Sequence, residues 1–278
     1  MEEKSLKILS IQMASVLGDK EANFHKVMDL IHKNIKKGTD IIILPEVWNV
    51  GWKPNIFNDC AEDIEESETI EFLSEIAIAF DANVIGGSLI IGKRQTVNGK
   101  RKLFNTCVVI DRDGELVATY DKMHLFSYYG CDEGKFVEAG QNPVMIELDG
   151  VKIGLTLCYD IRFPEIYRAY RKAGADLLIN MAAWPMKRAG HWEALSKARA
   201  IENQTFMVAL TQSGLIEAEE YNLGHSRMID YNGEVISEIK SGEGAMFAEI
   251  KFEEMYEFRK KCSVLLDIHD AYEVQLKT

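Results

Sequence analysis

Val151-Lys152-Ile153-Gly154-Leu155-Thr156-Leu157 is an apolar, strand-like run that stops at Cys158 and gives way to the polar, proline-marked segment Tyr159-Asp160-Ile161-Arg162-Phe163-Pro164-Glu165. Its first residues echo the N-terminus, where Leu6-Lys7-Ile8 through Met13 has the same pattern. The echo continues in order. Gly38-Thr39-Asp40-Ile41-Ile42-Ile43 matches Gly174-Ala175-Asp176-Leu177-Leu178-Ile179, and Ile110-Asp111-Arg112-Asp113-Gly114-Glu115-Leu116 matches Ile229-Asp230-Tyr231-Asn232-Gly233-Glu234-Val235. Such self-similarity predicts one structural unit built twice, with the Asp-Gly and Asn-Gly pairs as hairpin turns.

Between the strands, residues 20–36, 67–80, 164–172 and 190–203 carry apolar positions at three- and four-residue spacing, which predicts crossover helices. Each half then reads β-α-β-α-β followed by a hairpin. Alternating strands and helices imply right-handed crossovers and mixed sheets whose helices cover one face. Two such sheets joined face to face give an α/β protein, a four-layer α/β/β/α sandwich with an internal pseudo-twofold repeat. No Pro/Gly/Ser-rich linker divides residues 1–278, so a single domain is expected, ending in a charged helical turn and an extended tail over about 251–278 that packs on a partner subunit.

The 278 residues are 47% hydrophobic, enough for a sizeable core and too apolar for a disordered chain. A net charge of −12, with only the isolated pairs Lys36-Lys37 and Lys260-Lys261, leaves no basic stripe for nucleic acid or an anionic membrane. Five cysteines, at 60, 107, 131, 158 and 262, form no CxxC pair and suggest neither a disulfide framework nor a zinc ribbon. With no export signal or membrane span in the N-terminal MEEKSLKILSIQMA, a cytoplasmic protein with reduced thiols is expected.

Three strand ends finish in chemically active residues. Ile41-Ile42-Ile43-Leu44-Pro45 runs into Glu46, Leu116 through Asp121 runs into Lys122, and the opening run ends in Cys158. Carboxyl ends of strands are where open α/β sheets place ligands. A lone cysteine is more often inert core, but an acid, an ammonium and a thiol together make a nucleophile with its base and its electrophile. A free thiol titrating near 8.5 is only a few per cent ionised at neutral pH, so the ammonium is expected to lower its pKa while the carboxylate takes its proton. Lys122 and the backbone N–H of Tyr159 are the natural donors to an oxyanion.

The segments LPEVWNVGW around Glu46, YDKMHLF around Lys122 and LTLCYDIRFPE around Cys158 resemble the signatures of the nitrilase superfamily of carbon–nitrogen hydrolases, and the likeness covers essentially the whole chain. It implies that Glu46 is the general base, that Lys122 stabilises the tetrahedral intermediate and that Cys158 is the acylated nucleophile, in an α/β/β/α fold that dimerises. A further family glutamate, which orients the lysine and substrate, falls on Glu133 in preference to Glu138. AAWPMKRAGHWEALSKARAIENQ (182–204) is similar to the omega-amidase-like branch, whose substrates are small ω-amides such as 2-oxoglutaramate or 2-oxosuccinamate. An N-carbamoyl amine or amino acid amidohydrolase is the alternative chemistry, and a catalytically silent, partner-binding protein of the same fold is the non-enzymatic one. Arg162 is the candidate for a substrate carboxylate, against an equally weighted structural ion pair with Glu165 or another acid. Phe126, Tyr128, Tyr159 and Trp184 are candidates to wall the pocket, against ordinary core packing.

Other patterns are weaker. Gly87-Ser88-Leu89-Ile90-Ile91-Gly92-Lys93-Arg94 ends in Arg where a phosphate loop needs Ser or Thr, and it reads as a strand. A Cys–His enzyme using His124 or His191 lacks a recognisable residue to orient the imidazole. The six histidines show no metal-ligand spacing, so neither a metal nor another cofactor is expected.

Overall fold

The fold was obtained as a computed structural model, which describes residues 4–94, 101–128, 131–217, 220–269 and 273–276. In the first half, β1 (Ser5–Gln12), β2 (Ile41–Ile43) and β3 (Asn83–Arg94) run parallel, and β4 (Arg101–Ile110) and β5 (Leu116–Asp121) continue the sheet antiparallel. The crossovers carry α1 (Lys20–Asn34), the short α2 (Phe57–Cys60) and α3 (Glu68–Phe80). Asp19 accepts from the Ala22 N–H and Ser67 from the Ile70 N–H, so α1 and α3 begin at side-chain caps.

The second half repeats this. Strand β6 (Met145–Leu148) precedes β7 (Val151–Leu157), which runs parallel to β8 (Leu177–Ala182) and β9 (Phe206–Thr211). Helices α4 (Pro164–Lys172) and α5 (Ala189–Asn203) make the crossovers. A two-stranded ribbon, β10 (Ser213–Glu217) and β11 (Glu220–Leu223), leads to β12 (Ser226–Ile229) and β13 (Val235–Ile239); β14 (Gly244–Lys251) and α6 (Glu253–Lys261) close the chain.

Sheet order makes the repeat explicit: β14-β1-β2-β3-β4-β5 in one sheet, β13-β12-β9-β8-β7-β6 in the other. Each half sends its final strand into the other sheet. β6 follows the first half yet pairs antiparallel with β7, and β14 follows the second half yet pairs antiparallel with β1. This exchange is not legible in the sequence, because nothing local in Met145-Ile146-Glu147-Leu148 states which sheet it joins.

Alternation assigns the layers. Leu6, Ile8, Ile41 and Ile43 pack with Ile153, Leu155 and Leu157 between the sheets. Leu9, Ile11 and Ile42 face the other way, against Val27 and Ile31 of α1 and Leu73 and Ile76 of α3. On the second sheet, a methyl on Gly154 would press into the Tyr170 ring of α4, so glycine sets how closely that helix approaches β7. The result is the expected α/β/β/α sandwich of two mixed sheets. Helix α6 folds back on its own chain, burying Phe252 and Met255, while Leu266, Val274 and Leu276 beyond it stand in solvent.

Candidate active site

Glu46 lies just past β2, Lys122 just past β5 and Cys158 just past β7, and the fold brings them together in its interior. Glu46, Lys122 and Glu133 have no solvent exposure, and Cys158 is 6% exposed. The Lys122 ammonium donates to Glu46 Oε1 at 2.9 Å and to Glu133 Oε2 and Oε1 at 2.9 and 3.1 Å. Cys158 is a close neighbour of Glu46 and Lys122 in this cluster, near enough for both charges to act on its thiol. Of the two glutamates weighed for the further position, Glu133 contacts Lys122, whereas Glu138 is an exposed partner of Lys102.

The local folds explain the placement. The Glu46 turn sits directly on Gly87 of β3, whose φ is +64° and where any side chain would overlap the Pro45 carbonyl. This, and its setting within β3, also disposes of the phosphate-loop pattern. Cys158 has φ of 41°, the left-handed region, and opens a 3-10 turn over Cys158–Arg162, which lifts its side chain out of the strand's alternation.

Several groups complete the site that the sequence analysis missed. The Asn105 amide bridges Glu46 Oε1 and Glu133 Oε1 at 2.9 and 3.1 Å. The Ala183 N–H, past the end of β8, donates to Glu46 Oε2 at 2.9 Å. The Trp52 ring lies 4.8 Å from the Lys122 nitrogen, a cation–π contact. Trp52 lay inside the quoted LPEVWNVGW segment, whereas Asn105 carried no signal, being one of several polar residues on a strand.

Electrostatics departs from expectation at the thiol. Burial raises the Cys158 pKa well above its usual value, and Glu46 adds to this; Lys122 opposes them and is outweighed. Burial alone would lower the Lys122 pKa, but Glu133 and Glu46 hold it above the ordinary lysine value. Burial also raises Glu133, with Lys122 pulling it down and Glu46 pushing it up. One ammonium thus faces two carboxyl groups and a protonated thiol, and Glu46 is the neighbouring group able to take its proton.

Phe126, Tyr128 and Tyr159 gather beside this cluster, with ring centroids 5.6–6.2 Å apart. Tyr128 is exposed, and the Phe126 N–H donates to Glu133 Oε2 at 2.7 Å. Trp184 is only 2% exposed and packs on Trp192. The Arg162 guanidinium lies 5.0 Å from the Trp184 ring and 5.6 Å from the Tyr159 ring, and Nη1 meets His191 Nδ1 at 3.1 Å. No described carboxylate pairs with Arg162, and Glu165 is exposed. Among the described residues no three His, Cys, Asp or Glu side chains converge as a metal set, and no helix is long and apolar enough to cross a membrane.

A buried thiol, carboxylate and ammonium at strand ends of an α/β/β/α sandwich are equipped for acyl transfer, and the comparisons agree on the class. Residues 7–260 match the carbon-nitrogen hydrolase family model, and the chain belongs to that family. It is 35% identical over 266 residues to the 2-oxoglutaramate amidase of Bacillus subtilis (strain 168), covering 95% of this chain and 98% of that protein. It is 32% identical to omega-amidase NIT2 of Xenopus tropicalis, over 97% and 98% of the two chains. The crystal structure of XC1258 from Xanthomonas campestris, a CN-hydrolase superfamily protein with an arsenic adduct in its active site, superposes with a TM-score of 0.86 at 28% identity, over 98% of this chain and 100% of that one.

Proposed function

We propose that this carbon–nitrogen hydrolase releases ammonia from a small ω-amide acid of the 2-oxoglutaramate or 2-oxosuccinamate kind, through a thioester on Cys158. The single observation that carries the mechanism is the buried contact set of thiol, Glu46 and Lys122. Glu46 takes the thiol proton as sulfur attacks the amide carbon, and the oxyanion is held by the Lys122 ammonium and the Tyr159 N–H. The Glu133 carboxylate fixes that ammonium by its two contacts. As the C–N bond breaks, Glu46 returns the proton and ammonia departs. Glu46 then deprotonates a water that attacks the thioester, releasing the acid and restoring the thiol.

The substrate class rests on the names of the relatives and on Arg162, a cation at the aromatic wall with no described acid partner. Arg162 would clamp the substrate carboxylate bidentately, between Tyr159 and Trp184. A panel of ω-amides, N-carbamoyl compounds and nitriles, with ammonia as readout, tests the class, and hydroxylamine should divert product to the hydroxamate. Arg162→Ala should reduce kcat/KM on an ω-amide acid by roughly ten- to a hundredfold, about 1.5–3 kcal/mol, and barely change it on a neutral amide of equal length. Equal losses on both would remove Arg162 from substrate binding. The reading places the enzyme in a reducing cytoplasm as a homodimer, with Leu266, Val274 and Leu276 available to a second copy; sedimentation at the mass of one chain would refute the dimer.

A further inference from the structure

We propose that Asp160 and His124 are a positioning pair that locks the Lys122 segment against the Cys158 turn. The inference rests on the catalytic reading of Lys122 and Cys158 and assigns neither new residue to the chemistry itself. Asp160 is fully buried two residues past Cys158, and His124 stands two residues past Lys122. One carboxylate gathers both strands' ends. Its Oδ2 accepts from the Leu157 N–H at 2.9 Å and the Tyr120 hydroxyl at 2.7 Å, while Oδ1 accepts from the His124 N–H at 3.0 Å and meets His124 Nδ1 at 2.7 Å.

These donors flank the two reacting side chains. Leu157 directly precedes the nucleophile; Tyr120 and His124 bracket the lysine by two residues on either side. The segments leave different sheets, β5 in one half and β7 in the other. Asp160 thus ties the segment that carries the ammonium to the turn that carries the thiol by side-chain hydrogen bonds. The bond to Leu157 also braces the left-handed backbone of Cys158, a conformation that persists only when its surroundings impose it.

The imidazole has the geometry of a brace and not of a base. Its Nδ1 faces a carboxylate, so that nitrogen carries the proton and donates, while the carboxylate that acts on the thiol is Glu46. Its ring stacks on Phe163, with centroids 3.7 Å apart and planes 9° from parallel, clamping the far end of the nucleophile's turn. The side chain is 27% exposed, so core filling does not explain it.

His124→Asn, His124→Leu and Asp160→Asn separate positioning from simple support, because the asparagine amide at 124 can donate where Nδ1 did and leucine cannot. With an ω-amide substrate, His124→Leu and Asp160→Asn should lower kcat on the order of ten- to a hundredfold with KM within about twofold. His124→Asn should retain at least about a third of kcat. Rates are taken per Cys158 able to form the acyl-enzyme, so loss of folded protein does not enter, and the part-exposed His124 variants stand even if Asp160→Asn fails to fold. Undiminished kcat in His124→Leu, or His124→Asn no better than His124→Leu, would overturn the pair. Absence of any thioester in the unmodified protein would instead bring down the catalytic reading, and this proposal with it.

Discussion

The Cys158 thiol is held protonated, because burial and the adjacent Glu46 outweigh the pull of the ammonium. The sequence motivated the opposite expectation, a thiol acidified by Lys122, since it disclosed the charges but not how thoroughly they are withdrawn from water. In the proposed mechanism Glu46 then becomes indispensable for making the nucleophile. In Glu46→Gln, the rate of ammonia release should fall at least about a hundredfold, as no group remains to take the thiol proton during attack and return it to the departing amine. An unchanged rate would mean that Lys122 alone generates the thiolate. Lys122 should resist replacement as well, since a planar guanidinium cannot occupy the point that a compact ammonium holds between Glu46 and Glu133. If Lys122→Arg kept more than about a tenth of kcat, less than ~1.4 kcal/mol would depend on that geometry and the oxyanion role would fall.

At the level of elements, the start of α3 is tied to the loop that carries Glu46 through Glu62. That buried carboxylate accepts from Ser67 Oγ and Thr69 Oγ1, both at 2.6 Å, from the Thr69 N–H at 3.1 Å, and from Asn49, three residues past Glu46. Burial pushes its pKa up, but the hydrogen bonds from Ser67 and Thr69, with the Lys20 charge, hold it below the usual carboxylate value. A depressed folded-state pKa contributes stability above the unfolded value, near 4.3, and loses it as pH falls through the folded one. Glu62→Gln should therefore cost about 1–3 kcal/mol at neutral pH, and the gap in Tm from the parent should narrow below about pH 4.5. A gap constant with pH would show that the charge contributes nothing. The elements most legible in the sequence were those with a local chemical cause. Asp40 and Asp176 each accept from the N–H of the equivalent lysine, Lys7 and Lys152, and Asp111 and Asp230 each close their hairpin turns in the same way. Asn105, and Asp160 in its links to Tyr120 and His124, were illegible because those partners lie on other strands and turns, joined only by the tertiary fold.

Across the whole molecule, the exchanged strands mean that neither half completes its sheet alone. β14 spans the full length of β1, from Ser5 opposite Lys251 to Gln12 opposite Gly244, and β6 covers the outer edge of β7 in return. Residues from both sheets share the central core, so exposing one half would strip the inner face of the other. The proposed catalytic set is divided in the same way, with Glu46 and Lys122 from the first half and Cys158 from the second. Such interlocking predicts one cooperative transition, since partial unfolding would expose apolar core and unpaired strand edges together. The tryptophans allow a direct check, because Trp48 and Trp52 report on the first half and Trp184 and Trp192 on the second. In Trp48→Phe/Trp52→Phe and in Trp184→Phe/Trp192→Phe, the fluorescence transition in urea should coincide with the loss of far-ultraviolet circular dichroism. A fluorescence midpoint displaced from the dichroism midpoint within either variant would mean that the halves unfold separately, and that the strand exchange joins them without making them one cooperative unit.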